Sequence, residues 1–315
     1  MRPVRATRTT QSWRCPPVRC RRQFASRSGN NDNMPRRDHY LPAGLIGGFG
    51  RPHDNSPRRR RAKVCIRTRP PENKLTPEIK ADSVAWDRGQ YDVDNPTDDL
   101  PADWAEQIWQ LYEDALPDAA KALEQPGFSP DDWATVLKHI RAAWIRNPGF
   151  DTDAVTHLTV PGASLSNDQV QQARKTAYEQ LPHVLASARF AVIRKSEMAP
   201  RFIIDNRGFV PLYDEVAAQS GVLFPLTGNV AVMMVYEAAG PEDDYATAPF
   251  AELMLTADGA KAFHSATWNH QGIDLVIGHP DDASWIAELT DEAEAWLPRI
   301  GPYRGTAKTV LAWAA

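Results

Sequence analysis

Two segments carry side chains that ordinary packing does not call for. Arg36-Arg37-Asp38-His39-Tyr40-Leu41-Pro42 sets a charged cluster and an imidazole directly before an apolar stretch holding Leu45, Ile46 and Phe49. Arg201-Phe202-Ile203-Ile204-Asp205-Asn206-Arg207 is an apolar run that ends in a carboxylate and an amide, with Gly221–Thr227 further on. An acid at the end of a buried strand presents its side chain on a rigid support; the plain alternative is that Asp-Asn opens a turn. His, Asp and Arg are the types that metal-assisted or acid–base hydrolysis of a phosphodiester uses. In that chemistry Asp205 is a hard-metal ligand or general base and His39 the second ligand or acid–base group. Asn206 then orients and Arg36 or Arg37 meets a phosphate. The catalytic candidates are therefore His39 and Asp205, and the binding candidates Arg36, Arg37, Tyr40 and Asn206. A divalent metal stays open as cofactor, although two-metal sites usually gather several carboxylates and this pattern offers one. The favoured reading is a recognition module without catalysis, in which Tyr40 and the neighbouring basic block form a binding surface and Asp205 holds His39 as a structural pair.

Both readings need the two segments to meet, so the intervening elements matter. Between Pro101 and Leu123, Trp104, Ile108, Leu111, Ala115 and Ala119 recur at helical spacing, with Pro117 placed to kink or split the helix. Ser129-Pro130-Asp131-Asp132 has a capping hydroxyl, proline in the first turn and acids at the positive end of the helix dipole. The stripe Trp133, Val136, Leu137, Ile140 and Trp144 follows and stops at Asn147-Pro148-Gly149. Ser166-Asn167-Asp168-Gln169 announces a third helix running to about Ser187. After it, Phe190–Arg194, Arg201–Asp205, Val222–Leu226 and Val230–Tyr236 read as strands. A short strand is expected near Val64–Ile66, and Asp82–Tyr91 holds a short strand or helix. Phe250–His264 and Asp281–Leu297 are expected to be helical, with a strand at Ile273–Gly278 between them. Helices first and a sheet with further helices after make an α+β fold: an N-terminal helical part packed against a small, mainly antiparallel sheet with C-terminal helices.

At this level the chain resembles a known family. His39-Tyr40-Leu41-Pro42 through Phe49, Arg146-Asn147-Pro148, Arg201 to Asn206 and Phe224-Pro225-Leu226-Thr227 are similar, in order and spacing, to motifs of the bacterial domain-of-unknown-function family 4238. Ala43-Gly44 stand where polar and aromatic residues usually follow the proline, Ile204 where a serine often precedes the Asp, and Arg207 in place of the next proline. A site that needs that hydroxyl is altered here. The resemblance implies a bacterial protein and brings no established reaction.

Composition bounds the rest. The chain has 315 residues, 42% hydrophobic and 24% charged, with ten Trp, ten Phe and eight Tyr, enough for a large core. No apolar run approaches the about 20 residues a membrane-spanning helix needs, so no membrane partner is expected. Three Cys in a chain this size point to a reducing compartment, and the cytoplasm is the expected location. The net charge of −4 hides an asymmetry: residues 1–70 hold 18 Lys and Arg against 3 acids, and the remainder the opposite excess. Residues 1–33, with eight Arg, no Lys and no periodicity, read as a disordered basic leader that precedes a true start at Met34. Residues 34–315 then form a single composite domain. Arg58–Arg61 with Lys63, Arg67 and Arg69 could contact nucleic acid, but no interleaved aromatics offer stacking platforms, so that partner is not favoured. Nucleotide-binding glycine motifs, a Walker loop, HExxH and GxSxG are absent. His264, His270 and His279 match no metal spacing and read as scattered surface or capping residues.

Overall fold

The computed structural model describes residues 37–52, 59–151, 164–185, 188–214, 219–236, 249, 251–270 and 273–290. The leader expected at 1–33, and Arg36 with it, lie outside the described residues. The chain enters through strand β1 (Arg37–His39), a single helical turn α1 (Ala43–Ile46), and strands β2 (Lys63–Thr68), β3 (Leu75–Lys80) and β4 (Trp86–Arg88). Four helices follow: α2 (Trp104–Trp109), α3 (Leu116–Ala122), α4 (Pro130–Arg146) and α5 (Asn167–Leu185). The stripe over Pro101–Leu123 is thus two helices, and Pro117 sits in the first turn of the second, where its missing N–H costs nothing. The start of α4 is the capping box its sequence announces. Ser129 Oγ accepts from the Asp132 N–H at 3.1 Å, and Asp132 Oδ2 accepts from the Ser129 N–H at 3.0 Å.

Strands β5 (Ala188–Lys195), β7 (Val210–Asp214), β8 (Gln219–Pro225), β9 (Val230–Tyr236) and β10 (Ala251–Leu255) make one sheet in the order β10-β5-β9-β8-β7. Every pairing in it is antiparallel except β10 on β5. A second sheet has the order β3-β2-β11-β6, where β6 is Ile204–Asp205 and β11 Leu275–Gly278. Helices α6 (Ala257–Asn269) and α7 (Ala283–Ala287) complete the C-terminal part. The fold is α+β, with the helical segment ahead of the larger sheet.

Three expectations need correction. The strand expected over Arg201–Asp205 is only Ile204–Asp205. Phe250–His264 is not one helix. Ala251–Leu255 buries Leu253 and Leu255 while Glu252 and Met254 point outward, a period of two that docks on β5. Thr256 then caps α6 by accepting from the Gly259 N–H at 3.1 Å. The helix expected over Asp281–Leu297 is, within the described residues, a single-turn 3-10 segment and the short α7.

One hydrophobic core joins helices to sheet. Trp133 of α4 meets Phe190 of β5 with ring centroids 6.0 Å apart, and Trp144 meets Phe209 at 4.9 Å and Phe224 at 6.1 Å. These contacts fix α4, and with it the guanidinium at its C-terminal end. A smaller core of Cys65, Ile203, Trp268, Ile273, Val276 and Ile286 fills the other side of the second sheet.

Candidate functional site

A cleft of about 650 Å³ lies between the β1–α1 entry and helices α2 to α4. Arg146 builds its floor. This side chain is 3% exposed, and it donates to the Tyr112 hydroxyl at 3.0 Å, to the Glu113 carboxylate and to the His39 carbonyl. Its guanidinium lies over Trp109, 4.3 Å from the ring centroid. Burial opposes the charge, but Tyr112, Glu113 and Tyr91 outweigh it and raise the pKa above the ordinary arginine value. Arg146 also ties down its own surroundings, because its carbonyl accepts from the Tyr91 hydroxyl at 3.0 Å.

His39 lines this cleft. Burial, and then the nearby Arg146 charge, lower its pKa, so the ring is neutral at pH 7. Its Nδ1 is buried without a hydrogen-bond partner. Around it the described lining carries six carboxylates, Asp38, Asp82, Glu106, Glu113, Asp114 and Asp118, against three guanidiniums, Arg59, Arg60 and Arg146. Arg146 is already spent on Glu113, and Arg59 donates to the Pro117 carbonyl with Asp118 at 4.0 Å. The cleft is acidic.

Asp205 stands elsewhere. It is fully buried on β6, and its Oδ1 accepts from the N–H groups of Arg207 and Gly208, each at 2.9 Å. Its Oδ2 lies 2.6 Å from Nδ1 of His270, the residue that ends α6. A carboxylate can only accept, so Nδ1 carries the proton. The imidazole partner of Asp205 is therefore His270, not His39, and His39 and Asp205 share neither a hydrogen bond nor an ion pair. Reading His270 as a capping residue located it at a helix end but missed its contact. His279 does cap, accepting from the Asp281 N–H at 3.2 Å, whereas His264 is buried and stacked on Trp285 at 4.2 Å.

The two motif segments still touch. Gly208 has φ +86°, and a Cβ built on it would stand 2.5 Å from Leu41 Cδ2, so the Asp205 turn packs directly on the His-Tyr-Leu-Pro segment. Asn206 is buried and clasps Asp274: its Nδ2 donates to Oδ2 at 3.2 Å and its Oδ1 accepts from the Asp274 N–H at 2.9 Å. Burial and then the Asp274 charge push the Tyr40 hydroxyl pKa well up, which places Tyr40 beside the same cluster. Tyr40 does not line the acidic cleft. Arg37 lies on β1 opposite Arg88. Ile204, at the position where a serine often stands in the family the motifs resemble, is buried and paired with Ile277.

Part of the basic block is held within the fold, while Arg60 and Arg61 are exposed. Arg67 donates to the carbonyls of Ile286 and Leu289, and Arg67 and Arg69 both lie over Trp268, at 4.3 and 4.7 Å. Cys65 is buried, and burial pushes its thiol pKa up to about 11. Among the described residues no group of three or more His, Cys, Asp and Glu is arranged to hold a metal ion, and no helix is long and apolar enough to cross a membrane. Comparison with protein-family models, with curated proteins and with solved structures finds no match.

Proposed function

We propose that the chain is a recognition module whose acidic cleft binds a cationic ligand, an amine or guanidinium group on a polyamine or a basic peptide. The observation that carries this is the excess of carboxylates over guanidiniums in a cleft of about 650 Å³, within the usual size of small-ligand sites. Trp109 adds an aromatic wall, and Arg146, held from three sides, keeps that wall in place. Preorganisation of this kind reduces the ordering cost of binding. Within the same reading, the motifs support kinship with the bacterial domain-of-unknown-function family 4238. A bacterial cytoplasmic setting belongs to the same reading. Nucleic acid stays disfavoured, because Arg67 and Arg69 are engaged within the fold.

Isothermal titration with spermidine tests the reading. Binding is expected in wild type, weakened about tenfold by Asp114→Asn with Asp118→Asn, two exposed carboxylates worth roughly 0.5–1 kcal/mol each. Equal affinity in the double variant would remove the cleft from recognition.

A further inference from the structure

A second cavity, of about 400 Å³, shares Arg59 with the acidic cleft, and the rest of its lining plays no part in the cation-binding reading. The glycine-rich stretch Gly47-Gly48-Phe49-Gly50 lines it, and Gly228, between β8 and β9, donates its N–H to the Gly48 carbonyl at 3.2 Å. The described charged lining is Arg59, Lys121 and Arg201 against Glu124, with His279 beside them. Both oxygens of Glu124 are taken: Oε1 accepts from the Thr227 hydroxyl at 2.8 Å and Oε2 from the Lys121 ammonium. The donors are not used up. Arg201 gives Nη1 to Asp282 at 3.1 Å and Arg59 gives Nη1 to the Pro117 carbonyl. In each guanidinium the Nε–Nη2 edge makes no hydrogen bond among the described residues, the acid nearest to Nη2 standing 4.0 Å away. His279 Nδ1 accepts from the Asp281 N–H at 3.2 Å, which leaves its proton on Nε2, a donor with no partner among the described residues.

The geometry points to a carboxylate subsite in this pocket, joined to the acidic cleft at Arg59, so that the ligand is a basic peptide read at its free C-terminus. The peptide assignment rests on the cation-binding reading; the subsite itself does not. An Nε–Nη2 edge is the fork that meets both oxygens of a carboxylate in parallel hydrogen bonds, and Arg59 and Arg201 each keep one. Charge selects carboxylate over phosphate. Lys121 is paired with Glu124 and Arg201 with Asp282, whereas Arg59 stands 4.0 Å from Asp118, a side chain 93% exposed that holds it weakly. One guanidinium without a close acid among the described residues matches a monoanion better than a doubly charged phosphate. A polyamine, which carries cations only, would leave these donors unmet. A peptide that ends in a basic stretch fills both cavities with one chain.

Two titrations into the full chain test this. N-acetylglycine, a carboxylate with no cation, is followed in nitrogen-15 correlation spectra. It is expected to move the Gly48, Gly228 and Asn229 amides saturably, and N-acetylglycinamide to leave them in place. Calorimetry then compares tetra-arginine as the free acid with its C-terminal amide. The acid is expected to bind about tenfold more tightly, the scale of a hydrogen-bonded charge pair. Arg201→Lys, which keeps the charge beside Asp282 but loses the fork, should cut that preference to about threefold or less. Amides unmoved by N-acetylglycine, or moved by inorganic phosphate alone, would overturn the subsite. Equal binding of acid and amide would overturn it too and leave the cleft reading standing. Amides that respond to N-acetylglycine while neither peptide binds would uphold the subsite and overturn the cleft reading, and the peptide assignment with it.

Discussion

Arg146 is the residue on which the acidic cleft depends. Its guanidinium satisfies Tyr112, Glu113 and the His39 carbonyl at once, so truncation strands a buried hydroxyl and a carbonyl together. Arg146→Ala should cost about 3 kcal/mol in urea unfolding, and Arg146→Lys distinctly less, since an ammonium keeps the charge but not the fork. In the sequence Arg146 stood out only as part of the Arg146-Asn147-Pro148 pattern, with no role in a site assigned to it. The imidazole partner of Asp205 was not legible either. His270 and Asp205 are 65 positions apart, and their contact exists only because β11, the strand after α6, pairs with β6. The expected strands Arg201–Asp205 and Ile273–Gly278 held that information, since their pairing carries the end of the preceding helix to Asp205. Side-chain type alone could not say which of three nearby histidines would arrive.

At the scale of elements, periodicity and capping gave α4, α5 and β9 nearly as they stand, because each is long enough to show its period. Ala251–Leu255 was absorbed into a neighbouring helix because five residues fit either period, and only docking on β5 decides between them. The turn after β6 is a second test. Gly208 combines φ +86° with contact on Leu41, so Gly208→Ala should destabilise by about 2 kcal/mol in thermal or urea unfolding. Gly127, also at positive φ (+85°) but with nothing within 4 Å, should lose only about 1 kcal/mol on the same change. The helices also carry buried titratable rings. Burial, and for His139 the Arg146 charge as well, lowers His139 of α4 to about 3. Burial lowers His264 of α6 to about 4. Both fold neutral, while the unfolded chain takes up their protons below about 6.5. Stability should therefore hold above pH 6.5 and fall toward pH 4, by up to about 1.4 kcal/mol per pH unit for each ring. Chemical denaturation from pH 7 to 4 measures this, and His139→Leu should flatten the slope; a flat wild-type profile would contradict the neutral buried rings.

For the whole molecule, the strong basic bias of the first 70 residues does not set the sign of the described cleft, and three of those arginines are engaged within the fold. Arg67 and Arg69 clamp Trp268, Arg59 leans on α3, and the cleft is lined mostly by acids. Sequence composition reports how many charges a segment has, not where they point, and so the sign of the cleft was not legible. The most direct test places opposite ligands side by side at physiological salt: an arginine-rich peptide and a single-stranded oligonucleotide, each titrated into the full chain. A cleft built for cations predicts saturable peptide binding that weakens with added salt and with Asp114→Asn and Asp118→Asn, and no specific binding of the oligonucleotide. Tight oligonucleotide binding with an inert peptide would contradict it.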